Sequence, residues 1–403
     1  MYKLALRNIL RHKLRSAMTL AAIGFGVSAL ILAGGFVEDV LWQLAETTIH
    51  SQSGHIQIFR KGFYEQGARS PEKYLIDDHP RLRREIVEDQ AVDDVMGRMN
   101  FSALLSNGRS NLAVVGDGVE PEREARLGSL LTISAGRQLG AADPYGLLIG
   151  QGVSDALKLR PGDFATVLLN TPEGALNSIE FEVVGVFQSF SREYDERGIR
   201  MSLAAAQELL SVKGVTGIVL SLRRTADTDV VARRLDERLR TDGYDVKTWP
   251  ELNDFYQKAV DMYRQQFGVL QGIILVMVFL SVVNTVNMSV FERIGEFGTL
   301  MATGSRGGEI FRLILLENLL LGLLGALLGA VVGVGLATLI STIGIPMPPL
   351  PSSTIGYTAQ VRVLPSVIVM ACTVGAGATI VAALLPARRV ARTSIACALR
   401  ENH

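Results

Sequence analysis

The chain of 403 residues lacks the short motifs that mark several enzyme classes. It contains no G-x-x-x-x-G-K-[ST] sequence and no Gly-Lys dipeptide, so it cannot hold ATP phosphates in a P-loop of its own. The metalloprotease pattern H-E-x-x-H and the hydrolase pattern G-x-S-x-G are also missing. We therefore predict no catalytic residues and no cofactor-binding site in this sequence.

Cysteine, histidine and excess charge are scarce as well. Cys372 and Cys397 are the two cysteines, and both lie outside the large polar middle, which therefore folds without a disulfide. Lys+Arg and Asp+Glu both number 40, so the charge balance gives no indication of nucleic acid as a partner. No two histidines have the i, i+4 spacing of helical metal ligands, so we predict no metal site and expect every histidine at the surface. The histidines are His12, His50, His55, His79 and His403.

Apolar residues are what the sequence has in abundance. The chain is 48% hydrophobic with a mean hydropathy of +0.27, and these residues concentrate in four runs long enough to cross a bilayer. A long polar stretch separates the first run from the second. The pattern predicts an α-helical membrane protein with four transmembrane helices and a large α+β extracytoplasmic domain inserted between helices 1 and 2. The runs are Ala17–Val37, Phe267–Phe291, Ile310–Thr342 and Leu364–Leu385.

The polar middle reads as alternating strands and helices, arranged in one or two lobes whose boundary the sequence leaves open. Helices are predicted where apolar residues recur with helical spacing. A further helix, Glu251–Gln266, leads without a break into the second apolar run, and Pro386 is expected to end the fourth. The predicted strands are His55–Phe59, Asn111–Val115, Phe164–Leu169, Glu180–Phe187 and Gly217–Leu222, and the predicted helices are Pro80–Asp89, Gly150–Leu157, Leu203–Leu210 and Thr228–Arg240.

Small and polar residues inside the apolar runs are candidate sites. Gly325, Gly329 and Gly333 form a GxxxGxxxG series that predicts close helix packing. Asn284 and Asn287 lie on one side of the second helix, either to hydrogen-bond another helix or to line a substrate path. Glu317 lies about two turns inside the third helix, and structural and functional roles for this carboxylate are equally open.

Basic residues at both ends of the chain predict the orientation. Residues 2–15 form a basic amphipathic helix of the kind that lies on an anionic cytoplasmic leaflet. This segment carries five Lys/Arg and the tail carries four, whereas the connector at 344–363 carries only Arg362. The positive-inside rule then puts both termini in the cytoplasm, the polar middle outside and residues 292–309 inside.

Three motifs resemble those of the MacB/FtsX-type (type VII) ABC transporter permeases, a group that includes the Lol lipoprotein-releasing permeases. The start, LALRNILRHKLRS at residues 4–16, is similar to the amphipathic entry helix of that family. Glu292-Arg293 with Glu296, Gly298, Ala302 and Gly304 resembles its turn between helices 2 and 3, with Phe297 where Ile is common. Residues 386–389, PARR, with 398–400, ALR, resemble its usual ending, and the size of the outer domain is nearest to the Lol permeases.

The resemblance implies a membrane subunit that is driven by ATP hydrolysis in another subunit. A separate ABC ATPase dimer would bind ATP and Mg and contact the coupling residues Glu292, Arg293, Glu296, Gly298, Ala302 and Gly304. The other implied partners are a second permease copy or paralogue, membrane lipid and a periplasmic carrier, adaptor or hydrolase. The location implied is the bacterial inner membrane.

The expected function is lipoprotein release or export of an amphiphile. The alternatives are an efflux permease with an adaptor and an outer-membrane channel, and a non-transporting FtsX-like permease that controls a cell-wall hydrolase. The expected segments are a cytoplasmic amphipathic helix (1–16), transmembrane helix 1 (17–45), an extracytoplasmic domain (46–261), transmembrane helix 2 (262–291), a cytoplasmic coupling segment (292–309), transmembrane helix 3 (310–343), an extracytoplasmic connector (344–363), transmembrane helix 4 (364–386) and a cytoplasmic tail (387–403).

Overall fold

The computed structural model describes residues 11, 13–67, 71–127, 131–189, 191–348 and 356–392. Most of the predicted amphipathic helix at 1–16, part of the connector and the end of the tail lie outside these ranges. The chain divides into two compact units. One contains residues 1–41, 259–346 and 358–403, and the other contains residues 42–258 and 347–357.

The helices and strands alternate through the middle of the chain and give way to long helices at both ends. The helices are α1 (Lys13–Thr48), α2 (Phe63–Gln66), α3 (His79–Val87), α4 (Pro121–Leu127), α5 (Gln151–Leu157), α6 (Arg192–Asp195), α7 (Leu203–Leu210), α8 (Thr228–Leu239), α9 (Asp254–Glu292), α10 (Ile294–Ala302), α11 (Gly307–Ile343) and α12 (Pro365–Arg392). The strands are β1 (Ile56–Arg60), β2 (Val92–Ser106), β3 (Asn111–Val119), β4 (Thr132–Gly136), β5 (Gly146–Gly150), β6 (Phe164–Asn170), β7 (Leu176–Gln188), β8 (Gly198–Ser202), β9 (Gly217–Leu222), β10 (Tyr244–Thr248), β11 (Ile345–Met347) and β12 (Tyr357–Ala359).

Four helices in the described part of the chain, α1, α9, α11 and α12, are long and apolar enough to cross a membrane. Each corresponds to one of the four predicted apolar runs, and α12 begins one residue later than its predicted run. The predicted continuity of the second run with the helix before it is present, because α9 is a single helix from Asp254 to Glu292.

The prediction that Pro386 ends the fourth helix is wrong. Pro386 lies inside α12, which continues to Arg392. A proline removes one backbone hydrogen bond, but neighbouring helices can hold the flanking turns in place. Ala382, Ala383 and Ala387 around it are each at most 1% exposed and belong to the packed core of this unit, which stabilises the helix through the proline.

The second unit is built on one mixed sheet with the strand order β10-β1-β9-β2-β3-β8-β5-β7-β4, in which β6 pairs with β2 and β7. β3 and β8 run parallel, as do β5 and β7, whereas β1 and β10 run antiparallel. β2 joins the two halves of the sheet: its first part pairs with β9 and its second with β3. One half therefore combines early and late segments of the chain, and one apolar core runs beneath both.

The predicted strands and helices of this unit are present, with ends shifted by a few residues. β2, β4, β5, β8 and β10 had no predicted counterpart. β5 and β8 are five residues each and buried along their whole length, so they lack the alternation that identifies a strand. β2 is fifteen residues long and changes partners halfway, which a local pattern cannot indicate.

Polar side chains are also buried in this unit. Glu124 accepts two hydrogen bonds from Arg98, at 2.9 and 3.0 Å, and one from Arg200 at 3.0 Å. Arg200, 1% exposed, also donates to the carbonyl of Ser51 at 2.8 Å. The expectation that all histidines lie at the surface is wrong for His55, which is 1% exposed and accepts from the Leu222 amide. Its burial lowers the pKa of His55 to about 4.

Candidate functional site

The turn between α9 and α11 is defined by two short breaks in the helical backbone. α9 ends at Glu292, and Arg293 adopts φ −107° and ψ 12° before α10 begins. After α10, Gly304 takes φ +105°, a conformation that glycine adopts without strain. The Gly304 amide donates to the Met301 carbonyl and the Ser305 amide to the Leu300 carbonyl, which is the Schellman arrangement that ends a helix. The sequence thus forms a nine-residue helix between two long ones.

α10 has one buried face and one exposed face. Gly295, Phe297 and Gly298 are buried, and Phe297 is 1% exposed within the apolar core of this unit. The opposite face carries the half-exposed Glu296, with Thr299 and Leu300 at helical spacing after it and the exposed Thr303 directly after the helix. An exposed helical face of this kind is a surface on which another protein can pack.

Arg293 is buried at the start of α10 and points away from that exposed face. Its Nη1 donates to Glu317 Oε2 at 2.7 Å, and its Nη2 donates to Glu317 Oε1 at 3.3 Å. Its Nε donates to Glu296 Oε2 at 3.1 Å, and the guanidinium carbon lies 4.9 Å from the centre of the Phe297 ring. One side chain therefore joins the end of α9, the helix α10 and, through Glu317, the helix α11.

The pair of Arg293 and Glu317 is strongly desolvated. The two side chains are 7% and 9% exposed. Burial lowers the pKa of Arg293, but the hydrogen bonds and charges of Glu317 and Glu296 outweigh it and the pKa is raised. Removing one partner of such a pair leaves a buried charge and costs about 3–5 kcal/mol.

The residues predicted for ATPase coupling separate into two groups. Glu292, Ala302 and Gly304 are exposed and Glu296 is half exposed, so they are accessible from outside. Arg293 and Gly298 are buried against the rest of the same unit. The role of this set in contacting an ATPase stays a prediction.

The glycines predicted for helix packing lie against α1. A Cβ on Gly329 would come within 2.7 Å of the Gly24 carbonyl, and one on Gly325 within 2.9 Å of Ile23. The Ser28 hydroxyl donates to the Gly329 carbonyl at 2.9 Å, and Gly333 lies opposite Ser28. Backbones approach this closely only where side chains are absent.

The two asparagines of α9 take different environments. Asn287 is half-buried, and Asn284 is exposed and lines an open cavity of about 640 Å³. Lys13, Met288 and Glu292 line the same cavity. Among the described residues no hydrogen bond reaches either amide, so the choice between an interhelical contact and a substrate path stays open.

The link between Arg293 and Glu317 was not predicted from the sequence. An acid inside an apolar helix indicates that some partner exists. Arg306 and Arg312 are nearer to Glu317 in sequence than Arg293 is, so spacing alone favours the wrong cation. The partner is set by how α10 folds back, which is a tertiary feature.

Comparison with known families finds a matching family model for each of two long ranges of the chain. Residues 16–238 match the MacB-like periplasmic core domain, and residues 268–395 match the FtsX-like permease C-terminal domain. The first match spans more than half of the chain, and the second contains the α9–α11 turn.

Relatives with assigned names are distant but extensive. The chain is 23% identical over 406 residues to the lipoprotein-releasing system transmembrane protein LolC of Neisseria meningitidis, covering 95% of this chain and 93% of LolC. It is 26% identical over 341 residues to the macrolide export ATP-binding/permease protein MacB of Sodalis glossinidius, covering 80% of this chain and 50% of MacB. The crystal structure of the periplasmic region of MacB from Actinobacillus actinomycetemcomitans superposes on 52% of this chain and 94% of that region, with a TM-score of 0.36 and 12% identity.

Proposed function

The chain belongs to the MacB/FtsX-type ABC transporter permeases, and we propose that it is the membrane subunit of a transporter driven by a separate ATPase. ATP and Mg would bind to that ATPase, and this chain would carry no catalytic residue of its own. Two permease chains, identical or paralogous, would assemble with the ATPase dimer in a bacterial inner membrane. Both termini and the α9–α11 turn would face the cytoplasm.

The exposed face of α10 is the observation that supports coupling to an ATPase. Glu296, Thr299, Leu300 and Thr303 present a short amphipathic ridge, while the other side of the helix is anchored in the core. Together with Glu292, these residues would seat in a groove of the partner. α9 continues from this turn as one helix to Asp254, so it would act as a lever toward the outer side.

The preferred cargo is a lipoprotein or another amphiphile taken from the outer leaflet. The alignment with the lipoprotein-releasing protein of Neisseria supports this choice, because it spans nearly the whole of both chains. An efflux role is the alternative that the similarity to the macrolide export protein favours, although only half of that protein is covered. A permease that moves nothing and controls a cell-wall hydrolase is the third candidate.

The coupling proposal is tested by Glu292→Ala/Glu296→Ala. Because both acids are accessible and would pair with the partner, we expect the double variant to lose ATPase from the purified complex and to lose transport. Glu193→Ala, an exposed acid of the other unit, is the matched control and should change neither. Wild-type ATPase assembly together with wild-type transport in the double variant would show that this face is not the coupling surface.

The cargo proposal is tested by what copurifies with the full chain from its own host in a mild detergent. A periplasmic lipoprotein carrier together with an ATPase supports lipoprotein release. A tunnel-forming adaptor selects the efflux role instead, and a peptidoglycan hydrolase selects signalling. Purification without any ATPase would contradict the transporter assignment.

A further inference from the structure

Arg293 occupies the junction at which the helical path changes direction. Its backbone is non-helical, so α10 could rotate there as a separate rod relative to the long helices. A rotation at this junction would absorb a push on the exposed face of α10 locally. A force on the exposed face of α10 is therefore transmitted only if a contact fixes α10 to another helix.

The side chain of Arg293 provides this link between α10 and α11. Three of its nitrogen atoms donate to carboxylates, one to Glu296 on α10 and two to Glu317 on α11. Phe297 covers the guanidinium from α10. A planar guanidinium and a carboxylate joined by two parallel hydrogen bonds fix both distance and angle, which a point charge or an apolar contact does not.

The contact is also intolerant of displacement. A shift of about 1 Å takes these hydrogen bonds out of their normal range and leaves two charges buried without partners. Apolar neighbours such as Ile310 and Ile314 pack without direction and can slide over the same distance. The ion pair therefore resists relative motion of α10 and α11 more strongly than the rest of this interface.

We propose that Arg293 and Glu317 are positioning residues that make α10 and α11 move as one body, and that Arg293 is not a contact of the ATPase. This inference rests on the proposed coupling function and deepens it. The push on α10 then reaches the far end of α11, and the glycine-lined packing of α11 on α1 carries it to the first helix. Glu296 has two roles in this arrangement, since one oxygen holds Arg293 while the side chain remains half exposed.

The test uses Arg293→Met/Glu317→Met in the full-length permease assembled with its ATPase. Replacing a buried ion pair by apolar residues of similar volume commonly leaves folding intact, so loss of the pair is separated from unfolding. Spin labels at Thr342→Cys, at the far end of α11 in each of the two permease copies, report the change in the distance between the copies on adding ATP. This position is exposed.

We expect the double variant to unfold near the wild-type temperature and to bind the ATPase within about twofold of wild type. The ATP-dependent distance change should fall by about fivefold or more, the low end of ordinary coupling energies. The single variant Glu317→Gln keeps the side-chain shape but not the charge, and should show the same loss of transmission.

Two results would overturn the inference. One is a wild-type distance change in the double variant, and the other is loss of ATPase binding by the double variant while its unfolding temperature is unchanged. A wild-type protein that binds no ATPase at all contradicts the proposed function instead, so the two failures are distinguishable.

Discussion

At the scale of single residues, buried charged side chains link segments of the unit that contains the sheet. Glu124 is 3% exposed and lies between Arg98 and Arg200. Burial alone would raise the pKa of Glu124, but the charges of the two arginines outweigh it, so the pKa is lowered. Since Arg200 also holds the Ser51 carbonyl, this one carboxylate helps to join the turn after α1 to the sheet.

Glu124→Gln is predicted to lower the free energy of unfolding by about 3–5 kcal/mol, because it leaves two buried guanidinium groups short of a counter-charge. Glu196→Gln is the matched control, since its pair with Arg192 is exposed and should contribute about 0.5 kcal/mol or less. Denaturant unfolding of the detergent-solubilised chain measures both. Equal effects of the two substitutions would show that the buried network adds no stability beyond a surface pair.

At the scale of elements, the close approach of α1 and α11 depends on where glycine occurs along one helix face. Gly325, Gly329 and Gly333 face α1, whereas a Cβ on Gly335 would meet no atom within 4 Å. Glycine lowers helix stability in general, and at the first three positions this loss of stability is offset by the close packing that glycine permits.

Gly329→Ala is predicted to destabilise the chain by about 1–3 kcal/mol, because the new methyl group would press on the Gly24 backbone and on Val27. Gly335→Ala on the same helix should be neutral or stabilising, since alanine favours a helix and finds open space. Thermal unfolding of both variants in one detergent measures the difference. A Gly329→Ala protein as stable as Gly335→Ala would mean that the two helices separate readily.

At the scale of the whole molecule, the described part of the chain contains four helices long and apolar enough to cross a membrane. From the charge asymmetry we propose that both ends lie inside, and an even number of spans would then put the sheet-containing unit outside.

This orientation is tested with single cysteines in a variant whose Cys372 and Cys397 are replaced by serine. Ser110→Cys, exposed in the unit with the sheet, should react with a membrane-impermeant maleimide in spheroplasts. Gly308→Cys, exposed at the start of α11, should react only after the membrane is opened. The reverse labelling pattern would invert the proposed topology.

The sequence by itself determined the long helices, the strands with alternating or β-branched patterns and the family. These depend on local runs of residues and on short motifs, which a single chain displays directly. The continuity of α9 and the glycine series on α11 were readable for the same reason.

Tertiary structure alone decided the features that depend on residues far apart in the chain. It paired Arg293 with Glu317 across 24 residues, divided the turn motif into an exposed and a buried set, and carried α12 through Pro386. It also buried His55 and gave β2 two different partners. In each case the free energy of packing between distant segments outweighs the local preference of the residues for a conformation or for the surface. A pattern along the sequence does not show this packing free energy.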